Sequence, residues 1–319
     1  MRAYQISAFD RTPALIEVDA PLIGAGEVMV KIAACGLNFA DLLMANGKYQ
    51  DIPPLPATLG LELAGTVASI GPGVANLSPG ERVAVYAGSG GLAEFGAFPA
   101  SRCVKIPDAM PMEEAAGFQI AYGTSHLALE RSARLQPGET LLVTGAAGGV
   151  GLTAVEIGKL MGARVIACAR GPEKLEAARA AGADELIDSE HPDLRGALKD
   201  LGGADVVYDT IGGPLFTPCF RACRPEARYL LIGFAGGEVQ QIPANHLLVK
   251  NVSVIGFYWG GYLKFDEAAL TGSLETLMRW YGEGRLKPHV SHVMPLDRVE
   301  EAMALLRERK STGKIVISI

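Results

Sequence analysis

The chain has 319 residues, enough for two domains that each bury a core of their own. Hydrophobic residues make up 49% of it and charged residues 20%, which is typical of a folded globular protein and argues against disorder. The formal net charge of −6 offers no basis for binding nucleic acid or an anionic membrane surface.

The N-terminal residues lack the apolar core of a signal peptide, and no apolar run approaches the roughly 20 residues of a membrane span. The five cysteines are scattered and odd in number, which favours free thiols over a disulfide framework. We therefore expect a cytoplasmic protein without a membrane segment.

The first 117 residues are predicted to form a β-rich domain. Short apolar stretches separated by turn signals indicate strands rather than repeating strand–helix units. One clear helical stretch, 38–45, interrupts them. Many short strands with few helices favour a partly closed, antiparallel architecture. The predicted strands lie at 14–18, 27–34, 64–70, 81–86 and 102–106.

From Pro111 onward the pattern changes. A helix opens there with acidic residues in its first turn and runs to Ala133. The alternation that follows is typical of a doubly wound parallel sheet. Its strands are predicted at 140–144, 163–168, 184–187, 204–209, 228–232 and 252–256, and its helices near 150–161, 172–181, 191–200 and 214–223.

The remainder of the chain returns to the first domain, with helices at 266–283 and 297–309 and a closing strand at 314–318. The sequence thus predicts an α/β fold in which a dinucleotide-binding domain, 118–261, is inserted into a β-rich catalytic domain formed by 1–117 and 262–319.

A glycine-rich turn joins the first strand of the inserted domain to its helix. Glycines at 145, 148, 149 and 151 allow a sharp turn, close approach of backbone N–H groups to a pyrophosphate, and close helix–sheet packing. The helix N-terminus adds partial positive charge. The cofactor contacts predicted here are Ala147, Gly148, Gly149 and Val150.

The end of the second strand of this domain distinguishes NAD from NADP. NAD sites place an acidic residue there to bind the ribose hydroxyl. This chain instead has Arg170, followed by Lys174, which are suited to a 2′-phosphate, although Glu173 offsets part of that charge. Solvated charges at a helix start are the alternative. We predict NADPH as the cofactor.

Seven motifs together resemble the quinone oxidoreductase (ζ-crystallin-like) branch, the zinc-independent one, of the medium-chain dehydrogenase/reductase superfamily. The resemblance covers nearly the whole chain and implies a GroES-like catalytic domain, an inserted Rossmann domain, NADPH, and a homodimer or tetramer. The motifs lie at 36–41, 53–56, 60–67, 145–151, 182–184, 208–213 and 251–256.

The zinc-dependent alcohol dehydrogenases of the superfamily are the competing class. Where they hold their catalytic zinc, this chain has Asn38, Leu61 and Ala116, and residues 87–94 lack the four cysteines of their structural zinc site. We therefore expect no metal. Without one, hydride from NADPH must pass to an acceptor that is already electrophilic, which favours a quinone.

Two alternatives stay open. An enoyl or alkenal reductase would use the same scaffold on an activated carbon–carbon double bond, and a structural or regulatory protein would bind NADPH without turnover. The physiological substrate and the proton donor are not specified by the sequence.

The resemblance also indicates the site residues. Asn38 is predicted to donate its amide to a ribose or substrate oxygen, although it also suits a helix N-cap. Tyr49 is predicted to donate to a developing oxyanion, with a packed loop tyrosine as the alternative. Asp41 and Glu62 are interpreted as structural carboxylates. The remaining predicted cofactor contacts are Thr124, Ser189, Phe234, Phe257, Trp259 and Lys314.

The β-branched stretch at 252–257 is predicted to be the last strand of the inserted sheet. It carries no charge or proline to blunt its edge, so we expect it to pair with a second copy in a homodimer.

Overall fold

The structure is a computed structural model that describes residues 1–319. In chain order its strands are β1 (Arg2–Ile6), β2 (Ala14–Glu17), β3 (Glu27–Leu37), β4 (Ala57–Thr58), β5 (Glu62–Ile70), β6 (Arg82–Tyr86), β7 (Phe95–Pro99), β8 (Cys103–Lys105), β9 (Thr140–Thr144), β10 (Arg164–Ala169), β11 (Glu185–Asp188), β12 (Ala204–Asp209), β13 (Cys223–Leu231), β14 (Ser253–Gly256), β15 (Val290–Pro295) and β16 (Lys314–Ser318).

The helices are α1 (Phe39–Ala45), α2 (Met112–Ala116), α3 (Gln119–Leu127), α4 (Gly149–Leu160), α5 (Pro172–Ala180), α6 (Leu194–Asp200), α7 (Phe216–Ala222), α8 (Ala244–Lys250), α9 (Tyr262–Phe265), α10 (Glu267–Gly282) and α11 (Val299–Arg307). None of them is both long enough and apolar enough to cross a membrane.

The chain divides into two compact units. Unit 1 comprises residues 1–120 and 288–319, and unit 2 comprises residues 121–287. The chain returns to unit 1 at residue 288, whereas the sequence predicted this return at residue 262. The difference arises because α9 and α10 belong to unit 2. Their attachment is visible in the ion pair of Arg131 with Asp266 at 2.7 Å, which joins the π-helical turn that continues α3 (Ala128–Ser132) to the start of α10.

Unit 1 is built on a seven-stranded sheet with the order β15-β16-β3-β5-β6-β8, in which β7 also pairs with β3. Most neighbours are antiparallel, and a separate three-stranded sheet has the order β2-β1-β4. Buried Val28, Val30 and Ile32 alternate along β3 and pack into the core of this sheet. The β-rich architecture predicted for this region is confirmed.

Several elements of unit 1 differ from the prediction. Strands β1, β4 and β7 were not expected from the sequence. The helix predicted to run from Pro111 to Ala133 is interrupted after α2, where Gly117 ends the helix. A Cβ on Gly117 would lie 3.1 Å from Cε of Lys314, so this glycine leaves room for the lysine stem that packs across the break.

Unit 2 contains the predicted doubly wound sheet, which is confirmed. Its six parallel strands have the order β11-β10-β9-β12-β13-β14, so the strand order reverses between β9 and β12. Ligands of such sheets bind at the carboxyl ends of the strands beside this reversal. Strand β14 is the edge strand, as predicted, and the homodimer through it stays a prediction.

A buried histidine fastens α10 to α3 within unit 2. Nδ1 of His126 lies 2.9 Å from Oγ of Ser273, and its ring meets the edge of Trp280 at a centroid distance of 5.2 Å. Burial lowers the pKa of His126, although the carboxylate of Glu130 opposes this effect. The packing therefore favours the neutral imidazole.

This environment predicts a pH-dependent stability. Because the pKa of His126 in the fold lies below the ordinary value of 6.5, its stabilising contribution is present above that pH and is lost as the pH falls below it. Wild-type protein should lose unfolding free energy between about pH 7.5 and about pH 5.5 relative to His126→Gln, measured by urea denaturation. The matched control is His191→Gln at an exposed position. Parallel pH profiles for wild type and His126→Gln would contradict the prediction.

Candidate functional site

The turn after β9 leads the chain sharply from the strand into α4. Gly145 begins it with φ of 61°, in the left-handed region that favours glycine. A Cβ on Gly145 would lie 2.4 Å from Oγ1 of Thr210, and one on Gly151 would lie 2.1 Å from the carbonyl oxygen of Gly145. Close backbone packing therefore requires glycine at both positions.

The same turn presents backbone N–H groups at the start of α4. Gly148 is the N-cap residue, and the N–H groups of the first helical turn have no partner inside the helix. Gly148 is exposed, Gly149 and Val150 are half-buried, and Ala147 is buried. The structure thus brings these four predicted contacts together at the carboxyl edge of the sheet, where the helix N-terminus suits a pyrophosphate.

A buried carboxylate that was not predicted from the sequence as part of the site supports this turn. Asp209 is fully buried at the end of β12 and accepts hydrogen bonds from Oγ1 of Thr144 at 2.5 Å and the hydroxyl of Tyr229 at 2.7 Å. It also accepts from the N–H groups of Ile211 and Gly212, each at 3.0 Å. In the sequence, the signal that could have indicated Asp209 is its place in the motif at 208–213. These four donors hold the loop after β12 in one conformation.

Charged groups meet where β10 and β11 end side by side, since Ala169 pairs with Asp188. Asp188 accepts the N–H of Gly171 at 3.1 Å and that of Glu190 at 2.9 Å, so backbone groups occupy both of its oxygens. Arg170 is 53% exposed, and its Nη1 lies 3.9 Å from Oε1 of Glu190. The guanidinium is therefore accessible at this corner.

Two more predicted contacts lie at the same corner of unit 2. The N–H of Ser189 donates to the carbonyl of Ala169 at 3.0 Å, which places Ser189 directly beside Arg170. Lys174 lies in the first turn of α5 and is half-buried. The structure brings Arg170, Lys174 and Ser189 to one edge, and their contacts with a 2′-phosphate stay predictions.

The other predicted contacts in unit 2 differ in exposure. Phe234 follows β13 and is 38% exposed, and Phe257 follows β14 and is half-buried. Trp259 and Thr124 are both buried. A Cβ on Gly123 would lie 2.6 Å from Nε1 of Trp259, so the indole packs directly on α3. Trp259 therefore has a packing role, beside which its cofactor contact stays a prediction.

In unit 1, Asn38 belongs to a buried polar cluster. Oε1 of Glu62 accepts from Nζ of Lys314 at 2.8 Å and from Nδ2 of Asn38 at 3.0 Å. Nζ of Lys314 also donates to Oδ1 of Asn38 and to the carbonyl of Leu37, both at 2.8 Å. Oε2 of Glu62 accepts the N–H of Ile120 at 2.9 Å. Each polar atom of this cluster thus has a partner.

This cluster contains two of the predicted site residues. Lys314 is only 7% exposed and donates its ammonium hydrogens to three oxygens of unit 1, and its contact with a cofactor stays a prediction. Nδ2 of Asn38 donates to Glu62 and, at 3.3 Å, to the carbonyl of Gly36. Both of its hydrogens are donated inside the unit, and its contact with a ribose or substrate oxygen stays a prediction.

Asn38 is the N-cap residue of α1, which is the alternative role that the sequence offered for it, and it forms a capping box with Asp41. The side-chain oxygen of Asn38 also accepts from Nζ of Lys314, and Oδ2 of Asp41 accepts the N–H of Asn38 at 2.8 Å. Burial raises the pKa of Asp41 to about 7. Asp41 thus acts structurally, as interpreted from the sequence. Tyr49 lies half-buried on the loop after α1, and its contact with an oxyanion stays a prediction.

Comparison with known proteins identifies the family to which this chain belongs. Residues 149–274 match the family described as zinc-binding dehydrogenase, and residues 24–108 match the alcohol dehydrogenase GroES-like domain. The chain is 40% identical over 302 residues to the quinone oxidoreductase-like protein 2 homolog of Nematostella vectensis, covering 93% of this chain and 82% of that protein. The chain belongs to the quinone oxidoreductase-like family of medium-chain dehydrogenases/reductases.

Other members of this family carry different names. The chain is 33% identical over 315 residues to the human synaptic vesicle membrane protein VAT-1 homolog, covering 93% of this chain and 80% of that one. Among solved structures, the quinone oxidoreductase of Thermus thermophilus, also determined in complex with NADPH, is 32% identical with a TM-score of 0.88, and each chain is covered completely.

The description of one matched family names zinc, so the donor chemistry of this family member is relevant. No group of three or more His, Cys, Asp or Glu side chains is arranged to hold a metal ion. Beside Asn38, the carboxylate of Glu62 is neutralised by the ammonium of Lys314, which would repel a divalent cation. The Cys, His and carboxylate ligands that bind zinc are therefore not assembled around Asn38.

The packing around the phosphate turn predicts the cost of filling it. Gly151→Ala should lower the unfolding free energy by about 1–3 kcal/mol, as overpacking does, because its Cβ would overlap the carbonyl of Gly145. The same variant should bind NADPH more weakly, which a fluorescence titration measures.

The matched control is Gly272→Ala in α10, where a Cβ would meet nothing within 4 Å. There alanine should stabilise the helix by up to about 1 kcal/mol and leave NADPH binding unchanged. Equal stability changes for both variants would show that close packing does not explain Gly151.

Proposed function

We propose that this protein is an NADPH-dependent quinone reductase that works without a metal. The observation that carries the proposal is the occupation of the Asn38 site by an internal cation. Because Lys314 takes up both Glu62 and Asn38, no Lewis acid can be held there to polarise an unactivated carbonyl. The acceptor must therefore already be electrophilic, and quinones are the simplest such class.

The choice of NADPH rests on the corner where β10 and β11 end. No acidic residue follows β10 to bind a ribose 2′-hydroxyl, and both oxygens of Asp188, at the end of β11, accept backbone N–H groups. The exposed guanidinium of Arg170 instead supplies a fork of donors that suits a phosphate. That the related Thermus quinone oxidoreductase was determined with NADPH supports this choice.

When bound, NADPH supplies the hydride that the reaction transfers. The backbone of the turn 145–151 and the start of α4 would hold the pyrophosphate, and Arg170 would bind the 2′-phosphate. A proton from solvent would complete the hydroquinone. Tyr49 is the proposed donor to the oxygen on which negative charge develops.

Turnover of a panel of acceptors tests this proposal. NADPH oxidation should be fastest with benzoquinones and naphthoquinones, slower with 2-enals, 2-enones and enoyl-CoA esters, and unchanged after exhaustive chelation. Preference for the alkenes would instead indicate an enoyl or alkenal reductase. Tight NADPH binding without turnover of any acceptor would indicate a structural or regulatory protein. A stoichiometric metal whose removal abolishes turnover would refute metal independence.

Cofactor choice is tested separately at Arg170. Arg170→Ala should weaken NADPH binding by about 1–3 kcal/mol, the value of a charge-assisted hydrogen bond, and leave NADH binding nearly unchanged. Arg179→Ala, which removes the same charge near the end of α5, should alter neither affinity. Equal losses for NADPH and NADH would remove the 2′-phosphate from this residue.

A further inference from the structure

Charges of both signs lie at the corner of unit 2 where β10 and β11 end. They are two cations and three carboxylates, namely Arg170, Lys174, Glu173, Asp188 and Glu190. With every group ionised, negative charge exceeds positive charge at this corner. A 2′-phosphate brings further negative charge, so the two cations alone do not determine which cofactor the corner prefers.

Glu190 is the carboxylate of this corner that faces Arg170. Its Oε1 lies 3.9 Å from Nη1 of Arg170, which is too long for a hydrogen bond, and the two side chains are 69% and 53% exposed. Asp188, by contrast, accepts a backbone N–H on each of its oxygens. Glu190 and Arg170 are therefore both accessible to a ligand, whereas the oxygens of Asp188 are already engaged.

The backbone holds Glu190 beside the end of β10. The N–H of Ser189 donates to the carbonyl of Ala169 at 3.0 Å. The N–H groups of Glu190 and His191 both donate to Asp188, on its Oδ1 at 2.9 Å and on its carbonyl at 3.0 Å. Three successive N–H groups are thus bound, so the carboxylate of Glu190 projects from a fixed piece of chain.

The two groups that a cofactor can carry at its 2′ position differ in what they offer this pair. A hydroxyl can donate a hydrogen bond, which suits the carboxylate of Glu190. A phosphate monoester only accepts and carries about two negative charges at neutral pH, so Glu190 repels it and competes with it for Arg170. The same two side chains therefore act in opposite directions on the two cofactors.

We infer that Glu190 is a specificity-determining residue that limits the preference for NADPH and allows this protein to bind NADH. The inference rests on the proposed function only in placing the 2′ position of the cofactor at this corner. Arg170 favours the phosphate and Glu190 favours the hydroxyl. Selectivity is then the difference between these two contributions.

The affinities of Glu190→Gln for both cofactors test this inference. The variant keeps the size of the side chain and removes its charge, so NADPH should bind about twofold to fivefold more tightly, the range of an exposed ion pair. NADH should bind about twofold to fivefold more weakly, because a neutral acceptor replaces a charged one. A fluorescence titration measures both affinities. A structural defect would weaken both cofactors, so changes in the same direction, or no change, would overturn the inference.

The matched control is Glu176→Gln on α5. Glu176 is 71% exposed and lies 3.2 Å from the guanidinium of Arg179, so this variant removes the same charge from another exposed ion pair of unit 2. Neither affinity should change. Equal shifts in Glu176→Gln and Glu190→Gln would reflect the net charge of the protein alone and would overturn the inference.

Two nucleotides without a nicotinamide separate this inference from the proposed activity. Adenosine 2′,5′-bisphosphate carries the 2′-phosphate and adenosine 5′-monophosphate carries the 2′-hydroxyl, so Glu190→Gln should shift their affinities in opposite directions as well. Added salt should narrow the bisphosphate difference, because both side chains of the pair are exposed. Opposite shifts support the inference even if no quinone is reduced. Unshifted or salt-independent affinities overturn it even if quinones are reduced.

Discussion

The ion pair of Glu62 with Lys314 is almost completely buried in unit 1. It joins the first residue of β5 to the first residue of β16, across 252 positions of sequence. Removing one member of such a pair leaves an uncompensated charge and costs about 3–5 kcal/mol. The same two side chains also contact Asn38, so the stability of the fold and the surroundings of this predicted site residue depend on one arrangement.

Unit 2 also contains a buried carboxylate, which is satisfied by hydrogen bonds instead of an ion pair. Asp209 has no cation beside it and instead accepts from two hydroxyls and two backbone N–H groups. These four donors satisfy the buried oxygens of Asp209. Because these donors lie on β9, β13 and the loop after β12, the carboxylate ties together the strands beside the reversal of strand order. The loop that it fixes packs against Gly145, and the phosphate turn therefore rests on a rigid support.

Much of the fold was predictable because its signals are local. Alternation of strands and helices indicated the doubly wound sheet, and the strands β9 and β12 begin and end where the pattern placed them. Short strands such as β4 and β7 lack enough residues to show a period, and they form because β1 and β3 offer them partners. The unit boundary at 288 was also not predicted, because it depends on contacts between residues that are distant in sequence. The ion pair of Arg131 with Asp266, for example, attaches α10 to unit 2.

For the site, the sequence by itself determined the glycine turn and the absence of an acid after β10, while the family resemblance matched Asn38 to a ligand position of the zinc enzymes. The first two depend on residue identity within a few positions of a strand end. Only the tertiary structure decided the roles of Lys314 and Asn38, because the partners that use up their hydrogens come from β5, β16 and the segment before α1. A hydrogen-bond donor is available to a ligand only if the fold has not already used it, and contacts between residues hundreds of positions apart leave no local pattern to read.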